Sequence, residues 1–303
     1  MIVASEIAFN ELNGFSRLYL DYVNGLPGLE TLYDFRPDQK GYEYAIRRGQ
    51  ASGINRTALS AVLAKQYAAT PDILPKNLLE KLGTQTSCTV TTGHQLCIAG
   101  GPAYFVYKIA SVIQLAEKLS RMYNATVVPV YWMATEDHDV EEVRSVTMFG
   151  KKVSWHTTQE GAVGRLNTND IAAFIEEMAS LLGSSPQALE LSATLKKIYA
   201  PGKTIAAATR EFVHWLFGDA ILCIDPDDAE LKKAATGIFV DDLTHHSAEK
   251  LVQETSAFLS NKQYSLQVNP RTINLFHLDG TSRKRIEAAT EELIEEAKAH
   301  PEN

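Results

Sequence analysis

Cysteine is scarce in this chain. Three thiols, Cys88, Cys97 and Cys223, occur in 303 residues. With no CxxC spacing and an odd count, they predict neither a disulfide framework nor a zinc knuckle. Positive charge is also in deficit: 29 Lys and Arg stand against 37 Asp and Glu, a formal net charge of −8. General nucleic-acid affinity needs a basic surface that neutralises phosphates, and this composition speaks against one, although it leaves room for local basic pockets. No apolar run approaches the roughly 20 residues that cross a bilayer, and the start of the chain lacks the basic-then-apolar pattern of a signal peptide. The expectation is a cytoplasmic protein with no membrane and no nucleic-acid partner. Internal repeats and low-complexity segments are missing too. What remains, 45% apolar and 22% charged residues, is the make-up of a soluble globular protein large enough for a sizeable core and more than one lobe.

Two polar segments stand out, Thr91-Thr92-Gly93-His94-Gln95 and Thr135-Glu136-Asp137-His138-Asp139. Each follows an apolar, strand-like run (Ser87 to Val90 and Val127 to Met133), and a helix-like segment from Ala103 to Tyr123 separates them. Pro102 suits a first helical position, and Ile109, Val112, Ile113, Ala116 and Leu119 recur at helical spacing. The pattern is a βαβ unit. In open α/β sheets ligands bind beyond the carboxyl ends of the strands, so both polar segments are expected at one crevice. Pro129 is expected to mark the start of its strand, because proline cannot donate to a ladder.

Elsewhere the spacing predicts an opening helix with Phe15, Leu18, Tyr19 and Tyr22 on one face, a helix over Arg56–Ala69 capped by Asn55, and a short one over Lys76–Leu82. Residues 150–164 read as a loop or small hairpin, and 170–217 as a helical insert led by an amphipathic stripe that Gly183 stops. A strand over Ala220–Ile224 ends in Asp225-Pro226. A helical region from Asp227 to Leu259 is broken near His245-His246, strands follow over Leu266–Val268 and Thr272–Leu278, and a charged helix over Arg283–Ala299 closes the chain. The predicted class is α/β, a Rossmann-like parallel sheet with helical insertions. Such sheets carry about five or six strands; fewer parallel candidates are visible, so the sheet looks incomplete. Three regions follow: 1–150 with the first βαβ half, 151–218 as the helical insert, and 219–303 with further strands and helices.

The candidate site begins with Gly93, His94 and Gln95 at a βα turn. The N–H groups around Gly100 and Gly101 and the positive end of the next helix favour a phosphate or carboxylate; glycines serving only chain geometry would explain the same turn. Glu136, Asp137, His138 and Asp139 can bind a divalent cation, grip an amine or provide a general base, and one carboxylate is expected to cap the following segment. Lys108, on the following helix and on the same side as Tyr104, can reach an anion, although a surface lysine covering the helix is the commoner case. Asn269 and Arg271 flank a proline at a strand end, where an arginine fork suits a carboxylate or phosphate and equally a surface ion pair. Adjacent His245 and His246 point to different helix faces, which speaks against a joint metal site. Cys97 reads as a small apolar filler, with an oxidation-sensitive thiol as the alternative.

Taken together, TTGHQLCIAGGPAYFVYKIASVIQLA, VVPVYWMATEDHDVEEV and VNPRTINLF, with LDYVNGLPGLETLYDF near the start, resemble the cysteine ligase family of bacillithiol biosynthesis. One departure is local: the family's usual Gln-Gln after the motif glycine is His94-Gln95 here. The resemblance implies a Rossmann-like core, an extended coiled-coil element supporting a homodimer, and the joining of cysteine to glucosaminyl-malate. It also implies a longer protein of which this chain is an N-terminal portion, inactive by itself. Amide formation from a free carboxylate needs activation, here expected from ATP, with Mg²⁺ as companion, through an adenylate. On that reading Gly93, Gln95, Gly100, Gly101 and Lys108 hold the nucleotide, Glu136 and Asp139 grip cysteine, and Asn269 and Arg271 meet the malate carboxylates. His94, Asp137 and His138 do the chemistry, His138 taking the proton of the attacking amine. Two other readings stay open: a non-catalytic nucleotide-binding or assembly module, and a metal-dependent hydrolase centred on Glu136 to Asp139.

Overall fold

The computed structural model describes residues 7–280 and 282–303. Its strands are β1 (Cys88–His94), β2 (Val127–Met133), β3 (Ser145–Met148), β4 (Lys151–Ser154), β5 (Leu222–Ile224), β6 (Phe276–Asp279) and β7 (Ser282–Arg285). β1, β2 and β5 form a parallel sheet in the order β1-β2-β5, while β3–β4 and β6–β7 are separate antiparallel hairpins. The α/β, Rossmann-like expectation is met.

β2 lies in the middle, and only Trp132 among its residues is exposed, as a strand covered on both faces should be. Val128, Val130, Leu222 and Ile224 pack under Leu63 and Leu82, from the helices Arg56–Gln66 and Lys76–Leu82. The opposite face, with Tyr131 and Met133, packs on Phe105 and Ile109 of the crossover helix Tyr104–Tyr123. Pro129 does not start the strand. It sits opposite Val90, one residue before β5 begins pairing at Val130, so it precedes the stretch flanked by strands on both sides and its missing N–H is tolerated there.

The three helices Ala172–Leu182, Pro186–Ile198 and Ile205–Phe217 bury Phe174, Ile175, Leu195, Phe212 and Val213 in the same cluster as Phe105 and Tyr131. They complete the core on that side of the sheet. Asn55 does cap its helix, accepting from Ala58 N–H at 3.0 Å. The long helical region breaks at His246, whose φ of 53° is left-handed.

Four expectations need correction. The first strand runs on through His94, since the ladder continues to the His94–Met133 pair. Residues 145–154 form a hairpin across Phe149 and Gly150, both at positive φ (49° and 78°), the backbone that two-residue turns require. A helix at Gln39–Ala51, capped by Asp38, was not foreseen; it buries only Gly41 and Ile46, too few apolar positions to make a stripe. Finally, Leu266–Val268 is not a strand, and Ser282–Arg285 pairs with Phe276–Asp279 instead of starting the last helix, which begins at Glu291 behind its cap Thr290.

The outer edge of β5 is closed by side chains. The Tyr67 oxygen accepts from Cys223 N–H at 2.9 Å, and the Gln66 amide both accepts from Asp225 N–H at 2.9 Å and donates to Asp225 C=O at 2.8 Å. Tyr67 is 2% exposed. Tyr67→Phe leaves the Cys223 N–H buried and unpaired, and should cost about 1–3 kcal/mol in urea unfolding. An unchanged midpoint would show that the hydroxyl contributes nothing.

Candidate functional site

The parallel register sets His94 beside Met133, so the chain leaves β1 and β2 at the same level. Ala134 N–H donates to His94 C=O at 3.2 Å. One residue on, the Gln95 amide donates to Asp137 Oδ2 at 2.5 Å, and this bond joins the two polar segments. The other Asp137 oxygen accepts from the N–H groups of His138 (2.7 Å) and Asp139 (3.3 Å). Burial on its own would raise the Asp137 pKa. The Gln95 bond, the two N–H groups and the charge of Arg283 outweigh it, and the carboxyl is held below the usual aspartate range. Asp137 is therefore an anion at neutral pH.

His94 makes a 2.8 Å contact from Nδ1 to the C=O of Gln95. A carbonyl can only accept, so Nδ1 carries the proton and the neutral ring keeps its lone pair on Nε2. The ring rests against Tyr104 and Phe105, with centroids 5.1 and 5.4 Å away. It lines a groove of about 520 Å³ with Gln95, Cys97, Tyr104, Lys108 and Glu142. Lys108 Nζ donates to Gly93 C=O at the wall of that groove. Gly100 and Gly101 have φ of 81° and 57°, and a side chain on Gly101 would stand 2.5 Å from Cys97 Cβ. Their N–H groups close the turn onto Cys97 and Ile98 C=O and do not face the groove as free donors. Among the described residues, Ala103 and Tyr104 N–H have no protein partner, so the anion-binding end of the helix lies two or three residues later than the glycines. Burial, with the charge of Glu142, raises the Cys97 pKa, and an un-ionised thiol is a poor nucleophile.

His138 is placed differently. Its Nδ1 is hydrogen-bonded to the Arg283 guanidinium, which can only donate. That leaves the ring proton on Nε2, so His138 in this arrangement donates and cannot accept. The expected general base is thus masked. Asp139 caps the short helix Val140–Val143, accepting from Glu142 N–H at 3.3 Å; one carboxylate was expected to cap, and it is this one. Glu136 pairs with Lys232 at 2.8 Å. Asn269 and Arg271 lie exposed between the helix Ser247–Asn261 and β6, and neither bonds to His94, Asp137 or His138. The arginine at the site is Arg283. Gly93, His94, Gln95, Lys108, Asp137 and His138 are brought together; Asn269 and Arg271 are not.

Five charged residues were missed as site components: Arg165, Asp225, Asp227, Lys232 and Arg283. Asp225 ends β5 and accepts from Thr135 Oγ1 at 2.5 Å, tying β5 to the second polar segment. Asp227 takes a two-pronged bond from Arg165 (2.5 and 2.8 Å) and another from Lys232 (2.8 Å). The signal existed: Asp225-Pro226-Asp227 follows a third buried strand, at the same sheet edge as the other two loops. Arg283 had no such signal, because its position depends on the hairpin fold.

The two aspartates respond to burial with opposite signs. Burial raises the Asp225 pKa, and its hydrogen bonds only partly offset that. Burial opposes ionisation of Asp227 as well, yet bonds from Arg165 and Lys232 bring its pKa below the usual range. A lowered folded-state pKa contributes stability above the unfolded value, lost as pH falls through the folded value; a raised one contributes below the unfolded value and is lost as pH rises. Asp227→Asn should therefore destabilise at neutral pH, with the gap to wild type closing in acid. Asp225→Asn, which keeps an acceptor for Thr135, should leave neutral-pH stability equal or higher. Denaturation across pH 3–8 checks both, and equal behaviour of the two variants would refute the assignment.

A family model described as bacillithiol biosynthesis BshC, N-terminal Rossmann-like domain, matches residues 2–302. Among curated proteins, one from Cytophaga hutchinsonii is 38% identical over 293 residues, which cover 95% of this chain and 54% of the relative. One from Flavobacterium johnsoniae is 39% identical over 286 residues, covering 92% and 54%. A more distant one, from Natranaerobius thermophilus, is 28% identical over 288 residues, covering 88% and 52%. All three carry the name "Putative cysteine ligase BshC". The chain spans about half the length of these relatives.

Proposed function

This chain belongs to the bacillithiol-biosynthesis BshC family, and from that membership we propose that it carries the reaction site of a ligase forming an amide between the carboxylate of L-cysteine and the amine of glucosaminyl-malate. The names of the relatives support the reaction class. The observation that carries it on this chain is the Gln95–Asp137 bond, 2.5 Å long, which unites two polar segments at one sheet edge.

ATP is the proposed activator of the carboxylate, with Mg²⁺ as its companion, and we tested whether the groove at His94 suits a phosphate. Lys108 supplies a cation and Tyr104 an N–H donor at a helix start, with the Glu142 carboxylate on the same wall acting against them; the glycine N–H groups do not take part. The groove fits a phosphate on these terms. When bound there, ATP would supply the energy that turns a carboxylate oxygen into a leaving group. Asp137, held as an anion, would attract a substrate ammonium group. His94 Nε2, the ring nitrogen with a free lone pair, would take the proton that the attacking amine sheds. His138 would instead donate from Nε2. The Glu136-to-Asp139 segment supports the hydrolase reading poorly, because Glu136 pairs with Lys232 and Asp139 caps a helix. Among the described residues no three metal-ligating side chains converge. A homodimer, an extended coiled coil beyond these residues and a cytoplasmic setting belong to the same proposal; no helix of the described residues is long and apolar enough to cross a membrane.

The test is thiol-product formation from cysteine, glucosaminyl-malate and ATP, measured for residues 1–303 and for the full reading frame. His94→Asn in the active form should lower kcat by roughly 10²–10⁴, the usual share of a general base, while His138→Asn should cost clearly less. A larger loss in His138→Asn would return the base role to His138. No product from either form would remove the ligase reading.

A further inference from the structure

A second hollow, of about 670 Å³, opens beside His138 and Asp139. That is ample for a small conjugate, since ligand sites run roughly 300–1,000 Å³. Its lining carries the hydroxyls of Thr157, Thr158 and Ser282, the Gln159 amide, His138, the guanidinium groups of Arg144 and Arg283, and the carboxylates of Asp139, Glu141 and Glu160. Such a wall suits a ligand rich in hydroxyls, with a carboxylate of its own only where an arginine stands free.

The charges here are not equivalent. Glu141 pairs with Arg144 at 2.5 Å, and Asp139 is engaged at its helix. Glu160 has no ion pair among the described residues, and of the two arginines Arg283 is the free one. Among the described residues no carboxylate lies within ion-pair distance of it, and its only side-chain bond goes to His138 Nδ1. The Phe276 ring, 3.7 Å below the guanidinium, holds it in place. An arginine stacked on an aromatic face, with most of its five donors unspent, is pre-set for two-pronged carboxylate recognition.

We infer that this hollow is the acceptor subsite: it takes a hydroxyl-rich sugar bearing a carboxylate, and Arg283 receives the carboxylate. The inference rests on the ligase reading and adds which hollow holds which partner. The arriving carboxylate competes for the guanidinium N–H that His138 now occupies. Binding then frees His138 Nδ1, so the ring senses whether the subsite is filled. His138 is faced by Asp137 (3.5 Å to Oδ1) and Arg283, with Asp139, Glu141, Arg144 and Glu160 around the same hollow, and Arg283 is the one whose partner changes.

The experiment is calorimetric titration of the protein with glucosaminyl-malate, malate, glucosamine and ATP, together with ¹⁵N NMR of His138. Glucosaminyl-malate should bind more tightly than malate, and malate more tightly than glucosamine. Arg283→Gln should weaken glucosaminyl-malate binding at least tenfold, Arg283→Lys less, and Arg271→Gln not at all. Glucosaminyl-malate should move the His138 Nδ1 resonance in wild type and leave it unmoved in Arg283→Gln. The Arg283→Lys variant, with the urea midpoint of each protein, separates lost recognition from lost folding. Glucosaminyl-malate binding that survives Arg283→Gln overturns the assignment while the ligase reading stands, and so does a loss confined to ATP. No glucosaminyl-malate binding by wild type, in this chain or in the full reading frame, overturns the assignment together with the ligase reading.

Discussion

Every placement at the site depends on the parallel register of β1 on β2. Side chains alternate along a strand, so a slip of one residue would turn His94 to the opposite face and carry Gln95 away from Asp137. The register is pinned because β2 is packed on both sides, by Leu63 and Leu82 on one and by Phe105 and Ile109 on the other. The polar segments need little rigidity of their own. They inherit it from a strand with almost no freedom to move.

Charge at this edge is handled by pairing. Asp227 is shared by Arg165 and Lys232, Lys232 also serves Glu136, and Asp225 leans on a hydroxyl. Partly buried ions left single would cost several kcal/mol each, so the pairing explains why a cluster of acids can stand at the end of a sheet. Against that background the groups with spare capacity carry meaning. They are the Nε2 lone pair of His94, the ammonium of Lys108 and the guanidinium of Arg283, the first two at one hollow and the third at the other.

Much of the fold could be read from spacing. The helix over Lys76–Leu82, the strand Val127–Met133 and the break at His246 followed from local signals that agree with tertiary packing. The polar segments at His94 and Asp137 were legible because both follow buried strands. Other features were hidden for physical reasons. Gln39–Ala51 buries too little to show a stripe. The β6–β7 hairpin carries Ser-Arg-Lys-Arg, which reads as a charged helix start, and only cross-strand pairing with Phe276–Asp279 makes it a strand. Hence Arg271 stood in for Arg283. The tautomers of the two histidines were beyond reach as well, because they depend on partners 145 residues or a single peptide bond away, and sequence does not say which.

The closed side of β5 has a topological consequence. An open strand edge invites another chain to pair with it and is a common route to aggregation. Gln66 and Tyr67 occupy those backbone groups with side chains, so recruitment of any foreign strand on that flank is blocked. Growth of this sheet is one-directional: a strand joining it has to dock alongside β1. The border at β1 runs past Thr89, Thr91 and Gly93, which are solvent-exposed, and so the open flank and the mouth of the site lie on the same strand.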